Sequence, residues 1–346
     1  MFETRITRQF RLKAPIINAG MAFVAGPELA AAVANAGGLG MLGGAMVPGE
    51  GLRMMILATR SMTERNFGVD LIGEFIDDTH IDVLVEERVP LVVFFWSGPS
   101  AAQVQRLKAG GVKFWMQVGS VDEARTSIDL GAEAIIVQGS EAGGHNRSQA
   151  TLAILLTAVR DAFPQIPLIA AGGIADGVSM ASALLHGADA VWCGTRFLAS
   201  READAHDGYK DRVVKAQAGG TAMTTVFGPE WPDQPMRVLI NKAVRVSQGR
   251  AATALREAKG QNIGTTVLGG QTIPVPCYSA ILPTRSFNAD LEWACLTAGE
   301  CSASIKAVEP ASAIIATMVE EMEAVMSGIA QRHHGDRRTQ LQSSSC

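Results

Sequence analysis

"PLIAAGGIADGVSMASALLHGADAVWCGTRF", residues 167–197, holds two apolar runs that each leave through glycine, with a helix-like stretch between them. The runs are apolar at consecutive positions, the pattern of strands buried on both faces of a parallel sheet. The same unit recurs upstream. Comparable runs are "PIINAGMA" (15–22), "GLGMLGG" (38–44), "FGVDLIG" (67–73), "LVVFFWS" (91–97), "KFWMQVG" (113–119) and "AIIVQGS" (134–140). Helix-like stretches such as "GPELAAAVANAG", "SVDEARTSIDLGA" and "TLAILLTAVRDAF" separate them. Eight such units predict an α/β fold, a (β/α)8 TIM barrel with its chemistry at the C-terminal strand ends. An open doubly wound sheet is the alternative, but eight consecutive units without a change of pattern favour closure.

After residue 205 the rhythm breaks. The expected division is a barrel over residues 1–210 plus about 303–330, and a smaller, mainly helical second domain over 211–302. That second domain is expected to cover the substrate, with Trp231, Met236 and the "TAGEC" turn at 297–301 as candidate lining. A final helix is read at 310–329, where apolar residues recur at helical spacing, followed by a flexible polar tail at 331–346. The two tail histidines read as part of a solvated terminus rather than a metal site.

Composition excludes several classes. The chain has 346 residues, 47% of them hydrophobic and 18% charged, with a net charge of −4, so nothing argues for nucleic acid or an anionic membrane. "MFETRITRQFRLKAP" lacks the apolar core of a signal peptide, and no apolar run approaches the roughly 20 residues that span a bilayer. The five cysteines show no CxxC spacing and read as reduced thiols of a cytoplasmic protein without a zinc site. Neither a Ser-His-Asp elbow nor a P-loop is present, against hydrolase and NTPase readings.

Two glycine motifs need separating. Gly38, Gly40 and Gly43 match GxGxxG, but a helix precedes them and a strand follows, the reverse of a dinucleotide fingerprint. They read as a helix C-cap and a tight strand entry. "AAGGIADG" (170–177) and "CGTRF" (193–197) instead end the seventh and eighth strands, where barrels bind phosphate through backbone N–H groups. The phosphate could belong to a flavin mononucleotide, a nucleotide or a sugar phosphate. A third stretch, "QGSEAGGHNR" (138–147), leaves the sixth strand through Gly139, Gly143 and Gly144 and presents His145, as base, hydrogen-bond donor or ordinary turn residue.

Together "NAGMAFVAGPELAAAVANAGGLG", "QGSEAGGH", "IAAGGIADG" and "GADAVWCGTRFLAS" resemble the nitronate monooxygenase family, formerly 2-nitropropane dioxygenases, over about residues 14–200. The likeness resumes in "WPDQPMRVLINKAV" and "LTAGECSASIKAVEPA". It implies FMN across the barrel mouth, with Gly20, Met21 and Ala22 lining the ring and Gln117, Gln138, Gly143 and Gly144 beside it. Ala171, Gly172, Gly173, Gly194 and Thr195 would hold the phosphate. The family usually has "FGVN" at the third strand; here Asp70 stands there, also toward the flavin. An ionised carboxylate accepts hydrogen bonds but donates none, so Asp70 is protonated, faces away, or marks altered chemistry. Asn146 and Arg147 depart from the small residues often found after the histidine, which bears on substrate size and charge.

The function implied is FMN-dependent oxidation of nitronates or nitroalkanes by O2 to carbonyl compounds and nitrite, with His145 as the catalytic acid–base group. Two alternatives stand beside it: an FMN-dependent NAD(P)H reductase of enoyl thioesters or quinones on the same fold, and a flavin-binding barrel without turnover. The expected partners are a small-molecule substrate and O2, with no metal, no nucleic acid and no membrane. Oligomeric state stays open, a homodimer included.

Overall fold

The computed structural model describes residues 3–229 and 231–343, with side chains described as far as residue 328. A short helix, α1 (Arg5–Phe10), precedes eight parallel strands. These are β1 (Ile16–Asn18), β2 (Gly40–Gly43), β3 (Phe67–Ile72), β4 (Leu91–Phe95), β5 (Lys113–Val118), β6 (Ala134–Gln138), β7 (Leu168–Ala171) and β8 (Ala190–Cys193). Helices follow in turn: α2 (Pro27–Asn35), α3 (Gly49–Met62), α4 (Asp78–Glu86), α5 (Ala101–Ala109), α6 (Val121–Leu130), α7 (Leu152–Ala162), α8 (Gly177–Leu185) and the single turn α9 (Thr195–Leu198). Side-chain N-caps at Asp77, Ser100, Ser120 and Asp176 bond the first free N–H groups of α4, α5, α6 and α8, which sets where those helices begin.

Successive strands pair in sequence order from β2 through to β8, and β8 returns to pair with β1. Only the β1–β2 seam departs from a regular ladder. It has one bridge, Ile17 with Leu39. The buried side chain of Asn18 completes it: its amide donates to the Met41 carbonyl at 2.9 Å and its oxygen accepts the Met41 N–H at 2.9 Å. The TIM barrel is therefore closed, as expected.

The pleat sends alternate residues to opposite faces. Inside, Ile17, Met41, Val93, Trp115, Ile136 and Trp192 form one cluster with Ile6 and Phe10 of α1. Phe10 meets Trp115 edge-on at 5.4 Å, so α1 packs into the barrel interior at its N-terminal end. Outside, Ile16, Val92, Phe114, Ile135 and Val191 pack beneath the helices. The same alternation carries Asp70, Gln117, Gln138 and Ala171 inward at the C-terminal end.

Beyond α9 the chain forms α10 (Asp207–Val214), a hairpin of β9 (Thr221–Thr224) and β10 (Met236–Leu239), α11 (Lys242–Ser247), α12 (Ala251–Glu257), and a second hairpin of β11 (Asn262–Leu268) and β12 (Gln271–Pro276). This corrects the mainly helical reading of 211–302. The second hairpin is largely exposed, so its strands lack the continuous apolar run that marks the barrel strands. The last helix, α13 (Ala311–Ser343), packs on α8 and α2, and Glu321 accepts the Gly177 N–H at 2.7 Å. Its backbone continues through residues 331–343, read from sequence as a flexible tail; the run is rich in Arg and Gln, which sustain a helix once begun. The tail side chains, both histidines included, lie outside the described residues. Among the described residues no helix is long and apolar enough to cross a membrane.

Candidate active site

One cavity opens at the C-terminal end of the barrel, and His145 and the residues expected to hold the flavin line it. Gly20, Met21 and Ala22 come from the β1 exit, Asp70 from β3, Gln117 from β5, Gln138, Gly143, Gly144 and His145 from β6 and its loop. Ala171, Gly172, Gly173, Gly194 and Thr195 come from the exits of β7 and β8.

The glycines have different causes. A Cβ at Gly20 would stand 2.6 Å from Asp70 Oδ2, so the carboxyl packs on bare backbone. At Gly143 a Cβ would lie 2.5 Å from the Gly299 nitrogen, so that glycine lets the β6 loop meet the 298–299 backbone. Gly172 and Gly173 have φ of 106° and 73°, the left-handed region that favours glycine. Gly194 differs: a Cβ there would meet only Ala19 Cβ at 3.6 Å and Met21 sulfur at 4.0 Å, so its bare side faces free space. The GxGxxG glycines lie outside the cavity lining. At Gly40 and Gly43 a Cβ would come within 2.7 Å of the Ala30 and Met21 carbonyl carbons, which explains them by backbone packing. The residue that leaves α2 in the left-handed region is Gly37, φ 97°.

His145 sits in a two-residue strand, Gly144–His145, that pairs antiparallel with Met236 and Arg237 of β10. The β9–β10 hairpin is thereby attached to the β6 loop. Gln138 adds a bond across that loop, its amide donating to the His145 carbonyl at 3.0 Å. Two polar atoms here are buried without a protein partner: Gln138 Oε1 and His145 Nε2. The imidazole lies 4.8 Å from the Trp231 ring and 5.8 Å from Trp96, and Trp231 also touches Phe75. Burial among these groups lowers the His145 pKa from 6.5 to about 4, so the ring is neutral at pH 7.

Asn146 and Arg147 are turned to the loop and its surroundings. The Asn146 amide donates to the carbonyls of Gly139 (3.0 Å) and Ala142 (3.2 Å), and its oxygen accepts the Ser148 N–H. Arg147 donates to the Trp96 carbonyl at 2.7 Å, covers the Trp96 ring and pairs with Glu123. Neither lines the cavity, so their difference from small residues does not alter its walls. The remaining described histidines serve locally: His80 and His206 take part in helix N-caps, and His186 bonds the Ser182 carbonyl.

Asp70 is partly open to the cavity. Burial pushes its carboxyl well above the usual range, with an opposing hydrogen bond from the Gly20 backbone. Burial also raises the Cys301 thiol to about 12. Among the described residues, no lysine or arginine lines the cavity.

Trp231, Met236, Thr297, Gly299 and Cys301 all line the cavity. Phe75, Met46 and Leu282 line it too and carried no signal in the sequence, since isolated apolar residues outside the regular strands resemble core residues; Phe95, the last residue of β4, also lines it and could not be told from the rest of its apolar run.

A family model described as nitronate monooxygenase matches residues 3–77 and 71–321. A (3aS,4S,5R,7aS)-5-hydroxy-7a-methyl-1-oxo-octahydro-1H-indene-4-carboxyl-CoA dehydrogenase of Rhodococcus jostii is 36% identical over 280 residues, 78% of this chain and 77% of its own. FabK of Thermotoga maritima superposes with a TM-score of 0.79 at 32% identity, over 96% of this chain and all of FabK. Nitroalkane oxidase from Streptomyces ansochromogenes gives 0.76 at 27% identity, over 94% of this chain and 99% of that one.

Proposed function

The chain belongs to the nitronate monooxygenase family, and from that premise we propose that this oxidoreductase uses FMN and O2 to convert nitronates and nitroalkanes to carbonyl compounds and nitrite. The observation that carries the reading is His145: a buried imidazole, neutral at pH 7, whose Nε2 has no protein partner.

The residues fit FMN. Gln138 Oε1 is an acceptor left open for an N–H of the ring, and the bare backbone at Gly20 allows a flat group close approach. Gly172, Gly173, Gly194 and Thr195 would hold the phosphate through backbone N–H groups, as expected where, among the described residues, no lysine or arginine lines the cavity. When bound, the flavin supplies the electron acceptor and the reactivity toward O2.

With Nδ1 protonated, His145 presents the Nε2 lone pair and can hold the proton taken from the carbon next to a nitro group. A base with a pKa of about 4 does this slowly, because the aromatic surroundings disfavour the imidazolium. A nitronate has already lost that proton, so nitronates are the better substrates. Trp231 and Trp96 keep water from the imidazole, and Trp231 and Phe75, which line the cavity, would position the organic part of the substrate.

A second reading is favoured by the aromatic walls and by the likeness to a CoA-thioester dehydrogenase: reduction of an apolar enoyl thioester by NAD(P)H. Two anaerobic titrations separate the readings. Bleaching of the flavin by a nitronate alone supports the first, and bleaching by NAD(P)H supports the second. In the His145→Asn variant kcat/KM for neutral nitroalkanes should fall about 10²-fold or more while nitronates lose far less. Equal losses on both would remove the base role.

A further inference from the structure

Asp70 belongs to the wall described above, but its charge state has a consequence of its own. Along β3 the residues Val69 and Leu71 face the helices, so Asp70 faces the cavity, paired in register with Gly43 of β2 and Val93 of β4. Its carboxyl rests on Gly20, which supplies the one backbone N–H that reaches it. Among the described residues no lysine or arginine lines the cavity to balance it. Neither β2 nor β4 carries a titratable residue, and the other titratable groups lining the cavity are His145, Cys295 and Cys301. His145 is neutral at pH 7, and the Cys301 thiol is held protonated. A carboxylate in such a place lacks a counter-charge and is held largely away from bulk water, so the uncharged acid is favoured. Such an acid has one acceptor oxygen already used by the Gly20 N–H. Its O–H is left for whatever occupies the cavity.

We propose that Asp70 is an uncharged hydrogen-bond donor to the bound flavin, and that its ionisation governs how steeply the flavin potential falls with pH. This rests on the FMN reading. Reduction of the ring by two electrons from the substrate, with one proton, leaves a negative charge. An O–H directed at the ring stabilises that charge, whereas an ionised Asp70 at the same place repels it.

The test uses infrared spectra of the protein before and after FMN loading, and the flavin midpoint potential against pH. In the wild type a carboxylic-acid carbonyl stretch should be present at neutral pH, shift on FMN binding, and vanish in Asp70→Asn. Asp70→Asn, an uncharged donor, should match the wild-type potential at neutral pH and diverge from it upward as pH rises. Asp70→Leu, uncharged but unable to donate, should fall below the wild-type potential at neutral pH and stay below Asp70→Asn at every pH. A wild-type spectrum without the acid band, or an Asp70→Asn potential already raised at neutral pH, would overturn the proposal and leave the FMN reading intact. Failure of the wild type to take up FMN would overturn both, while the acid band would still report the charge of Asp70.

Discussion

At His145 the governing quantity is the cost of carrying a charge among aromatic rings. The unfolded chain has a histidine of pKa 6.5, and the folded chain one of about 4. Between these values the unfolded state binds more protons, so stability is complete above about 6.5 and is lost as pH falls toward 4. The full difference corresponds to about 3 kcal/mol from this one residue. Urea denaturation at pH 7 and at pH 4.5 should therefore differ more in the wild type than in His145→Phe, which removes the titrating group. Asp70 works in the opposite sense: its raised pKa adds stability at low pH and loses it as pH rises. The presence of both residues at the mouth was legible from the glycine-histidine loop and the strand-end pattern. Their protonation was not, because it depends on which neighbours from distant segments exclude water.

Among the elements, the β6 loop ties the site to its cover. Asn146 holds the loop from within, accepting one backbone N–H and donating to two carbonyls. Its own N–H donates to the Pro235 carbonyl at 2.9 Å, joining the loop to the segment before β10. Asn146→Ala leaves Gly139 and Ala142 without these donors and should cost about 1–3 kcal/mol, measured as a shift in the urea midpoint at constant m. Arg237 adds to the junction by donating to the Ser140 carbonyl and pairing with Glu300. The barrel strands could be read from their continuous apolar runs because both faces are buried. The β9–β10 hairpin and the Gly144–His145 strand could not: each is short, and it is held in place by partners nearly one hundred residues away, such as Arg237 on Ser140, 97 positions apart. The same limit explains why 211–302 was expected to be mainly helical.

Across the whole molecule, one end of the barrel is packed by α1 and the other carries the cavity. Ile6, Phe10 and Trp115 fill the N-terminal half, so ligands enter from the strand exits. The alternation that buries Trp115 turns Gln117 toward the cavity, two residues further along the same strand. Core and site are thus consecutive layers of one interior. The seam between β1 and β2 joins them, and there the amide of Asn18 substitutes for a missing length of ladder. Closure of the ring consequently has a local reporter. Deuterium uptake at the Met41 amide, whose proton is held by a side chain instead of a neighbouring strand, should be slow in the native protein. In Asn18→Ala it should accelerate well beyond the amides of β4 and β5, which keep their ladder bonds, so isotope exchange at one position would record how often the cylinder parts along its own edge.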